Sequence, residues 1–290
     1  MYDEERPYDV VDESDPQRRI ALWGAASGLQ AVDGLVVSSF AESVGDAYKR
    51  GEYSAYDARD VIEAHYVNET GRQAEADVVT GRILTMLNEA GCASFTLAPR
   101  TLLRIHKTLF DGELPDASWV GAFRREMISK SEPILGGRSV RYERPDVILD
   151  ALEYDFTTER AKPYPRDLGS ADILRFAKFI ASVWQIHPFR EGNTRTIAVF
   201  SQLYLAELGF EPDNSVYADN SRWFRDALVR ASYSSIRDGI DEDSSFIAMF
   251  FENIALGAKH DLASFDLNVH GIRIDQEIPY RELGDMSDRA

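Results

Sequence analysis

The run Ile186-His187-Pro188-Phe189-Arg190-Glu191-Gly192-Asn193-Thr194-Arg195 gathers a histidine, a carboxylate, an amide, two arginines and a glycine. A neutral imidazole near its ordinary pKa can take a proton from a hydroxyl at physiological pH. Glu191, four residues on, is a hard oxygen ligand of the kind Mg²⁺ accepts beside waters and substrate phosphates. Gly192 lets the backbone approach an anion closely. Asn193 offers an amide donor, and Arg195 offers a fork for phosphate oxygens. A lone histidine between apolar helices is more often a hydrogen-bonded structural residue; its company changes the reading. Base, metal ligand and phosphate cradle together point to phosphoryl or nucleotidyl transfer to a hydroxyl.

Two apolar segments must position this loop. Before it, Ile173, Phe176, Ala177, Ile180, Val183 and Trp184 repeat at the three-and-four spacing of a buried helix face, with Ser170 as cap. After it come Ile197, Val199, Phe200, Leu203, Tyr204 and Leu205. If the second helix begins near Asn193, its free N–H groups and positive dipole end also face the anion. Phe189 is expected to point inward as an anchor.

Elsewhere the pattern is again helical. Residues 1–17 read as a polar, acidic arm. A small helical unit follows over 18–70, its first helix ending at Asp33-Gly34, its second covering 39–49, its third capped by Ser54. Further helices are expected over 73–90, from Pro99 to Phe110, from Pro145 through Val147, Leu149, Leu152 and Tyr154, and over 221–232 and 244–258. Glu132–Leu135 and Ser139–Tyr142 flank Gly136-Gly137 and read as a β-hairpin. The tail from 259 to 290 alternates Phe265, Leu267, Val269, Ile272 and Ile274 with polar residues, as a strand or extended arm would. The expected fold is mainly α with one small hairpin.

The chain has 290 residues, 44% hydrophobic, with a net charge of −17, enough for a sizeable core and too acidic for general binding to nucleic acid or anionic membrane. A local basic pocket beside His187 remains compatible with that balance. The single cysteine, Cys92, excludes an intramolecular disulfide and reads as a small core thiol. No apolar run reaches membrane-spanning length and the first residues show no secretory signal, so the expected location is the cytoplasm. The oligomeric state, including a homo-oligomer, is left open.

The central motif resembles the signature of Fic-domain (Fic/Doc) proteins, His-x-Phe-x-(Asp/Glu)-Gly-Asn-Gly-Arg-x-x-Arg. Trp119-Val120-Gly121-Ala122-Phe123-Arg124 resembles the family's Gly-x-Tyr/Phe-Arg segment. Asn220-Ser221-Arg222-Trp223-Phe224-Arg225-Asp226-Ala227-Leu228 resembles its later Asn-Arg-x-x-Tyr-x-x-Ala-Leu helix. The likeness covers residues 75–258 and implies a Fic-type helical bundle with a small β-hairpin flap, preceded by a small helical unit. It implies transfer of AMP from ATP, with Mg²⁺, to a Ser, Thr or Tyr hydroxyl of a target protein. His187 would be the base and Glu191 the metal ligand. Gly192, Asn193, Thr194, Arg195 and Asn220 would bind nucleotide. Ile134, Leu135, Val140 and Arg141 of the hairpin would clamp the target as an added strand.

Two positions depart from the signature. Thr194 replaces glycine, where it either crowds the anion-binding turn or adds a hydroxyl to it. Ala198 replaces the second arginine, which in the family contacts the distal phosphate and partners an inhibitory glutamate. Residues 27–66 resemble the small antitoxin modules that inhibit such proteins, through Asp33-Gly34, then Lys49-Arg50-Gly51-Glu52-Tyr53-Ser54, then Val61-Ile62. Their (Ser/Thr)-x-x-x-Glu-(Gly/Asn) motif reads Leu29-x-x-x-Asp33-Gly34 here; Ser38 and Glu42 share its spacing as a second candidate. An aspartate facing a missing arginine implies weak or absent inhibition and a unit that serves as a structural cap. The rival readings are a Fic-fold enzyme with another nucleotide or phosphoryl substrate, removal of AMP, and a nucleotide- or protein-binding module whose catalysis has lapsed.

Overall fold

The computed structural model describes residues 15–91, 95–210 and 212–269. Ten α-helices carry it among those residues: α1 (Pro16–Gly28), α2 (Ser39–Lys49), α3 (Ala55–His65), α4 (Arg72–Asn88), α5 (Pro99–Phe110), α6 (Ile148–Arg160), α7 (Ser170–Ile186), α8 (Asn193–Glu207), α9 (Ser215–Ala231) and α10 (Ser245–Leu256). The helix pair around the His187 loop, α7 and α8, lies at the centre. α7 packs on α10 and α6, and α8 on α5 and α4. Both have broad buried faces, so the polar loop between them is enclosed by apolar side chains, as the 3.6-residue spacing predicted.

The N-terminal unit shares this core. α1 packs against α9 and α4, and α3 against α4. The approach of α1 to α9 is close because Gly24 and Gly28 lie on the contact. A Cβ on Gly28 would stand 2.7 Å from the Ala218 carbonyl oxygen, and Ser221 Oγ donates to the Gly28 carbonyl at 2.6 Å. Past Gly28 the chain tightens into a 3-10 turn, Leu29–Asp33, and Gly34 ends it in the left-handed conformation (φ 71°).

Several expectations are corrected. Pro16 and Gln17 belong to α1 rather than to an arm, because Asp15 caps the helix by accepting from the Gln17 N–H at 2.9 Å and Pro16 fits the first turn. The rest of that arm (1–14), Cys92, Ile272 and Ile274 lie outside the described residues. Ser170 opens α7 as its first residue; the N-cap is Gly169, whose N–H is satisfied by Asp172 at 3.1 Å. α6 buries Ile148, Leu152 and Phe156, while Leu149 and Tyr154 face solvent. α9 starts before residue 221, the two parts joining at a kink at Asn220 (φ −130°, ψ 24°).

The hairpin is the largest correction. Among the described residues there is no strand, only an isolated bridge between Ser235 and Ile240. Pro133–Leu135 forms a 3-10 turn and Gly136 is left-handed. Pro133 has no N–H for a ladder. The Glu132 carbonyl turns to the Leu135 and Gly137 N–H groups, and the Lys130 N–H is taken by Ser139 Oγ, so the backbone-to-backbone cross-link runs from the Glu132 N–H to the Arg138 carbonyl. The flap therefore exists as an irregular loop. In the described part of the tail, residues 259–269, a 3-10 turn forms over Leu262–Ser264, and Phe265 after it is extended; the rest lies outside the described residues.

Gly28→Ala should destabilise the protein by about 1–3 kcal/mol, because the new methyl meets fixed backbone rather than a movable side chain. Urea unfolding of the purified chain checks it; an unchanged midpoint would mean that α1 and α9 separate easily.

Candidate active site

His187 ends α7 in the left-handed region (φ 52°), alone among the described non-glycine residues. Such a backbone costs on the order of 1 kcal/mol and persists only where its surroundings enforce it. Arg124 supplies that enforcement. Its Nε donates to the His187 carbonyl at 2.7 Å, its Nη2 to the Ile186 carbonyl at 3.3 Å and to the Glu143 carbonyl, and its backbone N–H to the Pro188 carbonyl at 2.8 Å. The imidazole is buried. Its Nδ1 faces the Trp184 carbonyl at 3.3 Å, which favours the proton there, and its Nε2 has no hydrogen-bond partner among the described residues. Burial, with Lys130, Arg124 and Arg225 nearby, holds its pKa well below the usual value, so the ring is neutral at physiological pH.

The loop closes on itself. Asn193 Oδ1 accepts from the Phe189 N–H at 2.9 Å and its Nδ2 donates to the Phe189 carbonyl at 2.8 Å, so its amide positions the loop. Phe189 is fully buried against His106, with ring centroids 3.9 Å apart. Thr194 is buried, and its hydroxyl accepts from Trp184 Nε1 at 3.0 Å; the residue that departs from the signature ties α8 back to α7. Gly192 caps α8 at φ 71°, and a Cβ there would lie 2.4 Å from the Phe110 ring. Glycine is needed for both reasons. The N–H groups of Asn193, Thr194 and Arg195 have no backbone acceptor and form an anion-receptive helix end.

Glu191 is half-buried, and its carboxylate has no hydrogen-bond or ion-pair partner among the described residues. Those residues contain no cluster of three or more His, Cys, Asp or Glu able to hold a metal. This one free carboxylate beside an anion-receptive helix end fits a Mg²⁺ that keeps its waters and shares substrate phosphates, and not an all-protein metal cage.

Arg195 does not project into an open cradle. It is 1% exposed, with Nε 2.8 Å from Asp33, Nη1 donating to Gln30 at 3.0 Å and Nη2 to Glu75 at 2.6 Å, and it stacks over Phe110 at 4.7 Å. Burial alone would lower its pKa, but Asp33 and Glu75 outweigh that and raise it. Burial pushes the Asp33 carboxyl up, yet Arg195, with Lys130, Arg225 and Arg72, holds it below the usual range. The expectation that Asp33 would lack an arginine is thus corrected: it pairs with Arg195, three positions before the buried Ala198. Glu42, the other inhibitory candidate, instead accepts from Trp23 Nε1 at 3.3 Å. Asn220 Nδ2 is turned back to the Val216 carbonyl at 3.1 Å.

In the flap, Leu135 and Val140 are buried, Ile134 is half-buried and Arg141 exposed. The fully buried Glu132 pairs with Arg225 at 2.7 Å and accepts from the Tyr142 hydroxyl at 3.3 Å, and the Tyr142 ring lies 4.2 Å from His187. Lys130, Arg124 and Arg225 act electrostatically on the imidazole, Arg225 while paired with Glu132.

Sequence reasoning missed Gln30, Glu75, Lys130, Glu132, Arg225 and His106. Of these, Arg225 sat inside a quoted motif, and Glu75 was legible only as a charge on a helix that proves buried. His106 joins three segments. Its Nε2 donates to the Glu191 carbonyl at 3.1 Å and its Nδ1 accepts from the Gly121 N–H at 3.0 Å, which fixes a neutral ring. Burial lowers its pKa to about 4.

That depression sets a pH dependence. Below about 6.5 the unfolded chain binds a proton at residue 106 that the folded chain refuses, so His106 contributes stability above that pH that is lost as pH falls toward about 4. The loss should reach on the order of 3 kcal/mol. His106→Gln should flatten this part of the stability–pH curve, measured by urea unfolding between those limits; a wild-type curve of the same slope would contradict the assignment.

Two solved structures resemble the chain. One is the N-terminal FIC domain of Bep8, a VirB-translocated effector from Bartonella sp. 1-1C, with 18% identity over 69% of this chain and 91% of that one and a TM-score of 0.48. The other is the N-terminal Fic domain of a Bartonella effector protein (Bep), a substrate of the VirB T4SS, from Bartonella sp. AR 15-3, with 19% identity over 65% and 85% and a TM-score of 0.49. No curated protein matches the chain. No described helix is long and apolar enough to cross a membrane. Residues 96–205, which hold α5, the flap, α6, α7 and the His187 loop, match the Fic/DOC family.

Proposed function

We propose that this chain is a nucleotidyltransferase that moves AMP from ATP to a Ser, Thr or Tyr hydroxyl of a protein. The observation that carries the reading is the His187 imidazole, buried and neutral, with Nδ1 committed to Trp184 and Nε2 unpartnered beside the open end of α8. The Fic/DOC match over 96–205 supports it. In this reading Nε2 accepts the hydroxyl proton while that oxygen bonds to the α-phosphorus and the bond to the leaving pyrophosphate breaks. The N–H groups of Asn193, Thr194 and Arg195 hold phosphate oxygens, and the field of Lys130 and Arg225 favours the anion. Mg²⁺ held by Glu191 would neutralise charge on the phosphates. The target lies along the flap.

Arg195 gives the N-terminal unit a role in this reading. Asp33 and Gln30 occupy two edges of its guanidinium, so they compete with phosphate for it; their release would free Nε and Nη1 while Glu75 keeps Nη2. The same saturation, together with Ala198, favours a second reading, a nucleotide-binding module without turnover.

Incubation with ATP labelled at the α- or the γ-phosphate, in lysate with Mg²⁺, separates the readings. AMP transfer leaves only the α-label on protein, and His187→Ala should reduce it by about 10²–10⁴-fold. ATP binding with no mass gain on any protein would favour the module.

Asp33→Ala should raise α-label incorporation about tenfold, corresponding to ~1.4 kcal/mol of removed competition. Equal rates in the two chains, measured by intact-mass spectrometry over time, would leave the unit a structural cap.

A further inference from the structure

The flap is already in use by the chain itself. The Val269 N–H donates to the Ile134 carbonyl at 3.0 Å. The segment that delivers this bond is anchored: Leu262, Leu267 and Val269 are buried, and Phe265 meets Phe246 edge to face at 6.3 Å. A turn at Asp266, which accepts from the Asn268 N–H at 2.9 Å, aims Val269 at the flap. The flap is also held through Arg138, which pairs with Asp238 and donates to the Tyr233 hydroxyl at 3.2 Å. A carbonyl on an irregular loop, with no ladder partner, is an acceptor for any peptide that brings an N–H beside an apolar side chain.

We propose that residues 262–269 occupy the flap edge at Ile134 in cis and compete there with an incoming protein segment. The proposal rests on the reading that the flap receives a target. An incoming segment must first displace the Val269 N–H, and the buried Leu267 sets how readily the tail leaves.

Val269→Pro removes the N–H and keeps an apolar side chain, whereas Val269→Ala keeps the N–H. Amide hydrogen exchange of residues 130–142 in the full chain, without nucleotide, should rise about fivefold in V269P, the effect of one net hydrogen bond, and stay near wild type in V269A. A synthetic peptide of residues 262–269 should slow flap exchange in V269P, and the same peptide with proline at its last position should not. Unchanged flap exchange in V269P, or no effect of the peptide, overturns the proposal. Because exchange is read without ATP, a wild-type chain that labels no protein bears on the nucleotidyl reading alone.

Discussion

Everything near the site depends on how one buried cation is compensated. Taking a guanidinium out of water costs several kcal/mol unless every edge is paired. Arg195 is compensated by hydrogen bonds to Gln30 from the turn after α1 and Glu75 from α4, by an ion pair of its Nε with Asp33 that lacks hydrogen-bond geometry, and by the Phe110 ring from α5. Arg72 extends the junction by pairing with Glu75 and donating to the Asp33 carbonyl. One side chain on the first turn of α8 thus ties together four elements, and it is the residue on which nucleotide and N-terminal unit would converge in the proposed reading. Glu75, with 4% of its side chain exposed, lies deeper than Asp33, at 19%, although the Asp33 oxygen that faces Arg195 is itself buried.

The helices and the central loop were legible in the sequence because their signals are local. Apolar spacing marked α7 and α8, Ser54 marked the start of α3 through a capping box with Asp57, and Gly34 marked a left-handed stop. The Arg195 junction was not legible, since it joins residues 120 to 165 positions apart. Motif alignment put the acid's partner at 198, yet the guanidinium it meets stands one helical turn earlier. The flap misread has a different origin. A Gly-Gly turn between apolar pairs satisfies a hairpin template, but Pro133 and the demand of buried Glu132 for Arg225 settle that backbone instead. For α6, both Leu149 and Ile148 fit an apolar face, and only tertiary packing chose between them.

Thr194 shows how a departure from a family pattern is absorbed. A β-branched residue in the first turn of a helix would crowd an open anion site, but its hydroxyl is turned to the Trp184 indole, where it satisfies a buried donor. The backbone N–H of Thr194 stays available, so the substitution exchanges conformational freedom at the helix end for a fixed link to α7. Ala198 has a comparable logic. Its position is fully buried beside a residue whose cation is already matched, and a second guanidinium there would need compensation that Asp33 and Glu75 already give to Arg195.

The selection of unsatisfied groups locates the chemistry more sharply than any motif. In the loop from His187 to Arg195, enclosed between two buried helices, the His187 carbonyl, Pro188 carbonyl, Phe189 N–H and carbonyl, Glu191 carbonyl, Asn193 amide and Thr194 hydroxyl all have partners. Buried polar groups without partners cost on the order of 1–3 kcal/mol each. Groups left open there include His187 Nε2, the Glu191 carboxylate and the N–H groups at the start of α8; Arg190 only stacks over Trp119, and Arg195 Nε meets Asp33 as an ion pair without a hydrogen bond. The loop satisfies most of its backbone through Arg124, His106 and its own Asn193, and the base, acid and helix end it leaves open are the groups that the proposed reading would fill with a nucleotide, its cation and a hydroxyl nucleophile.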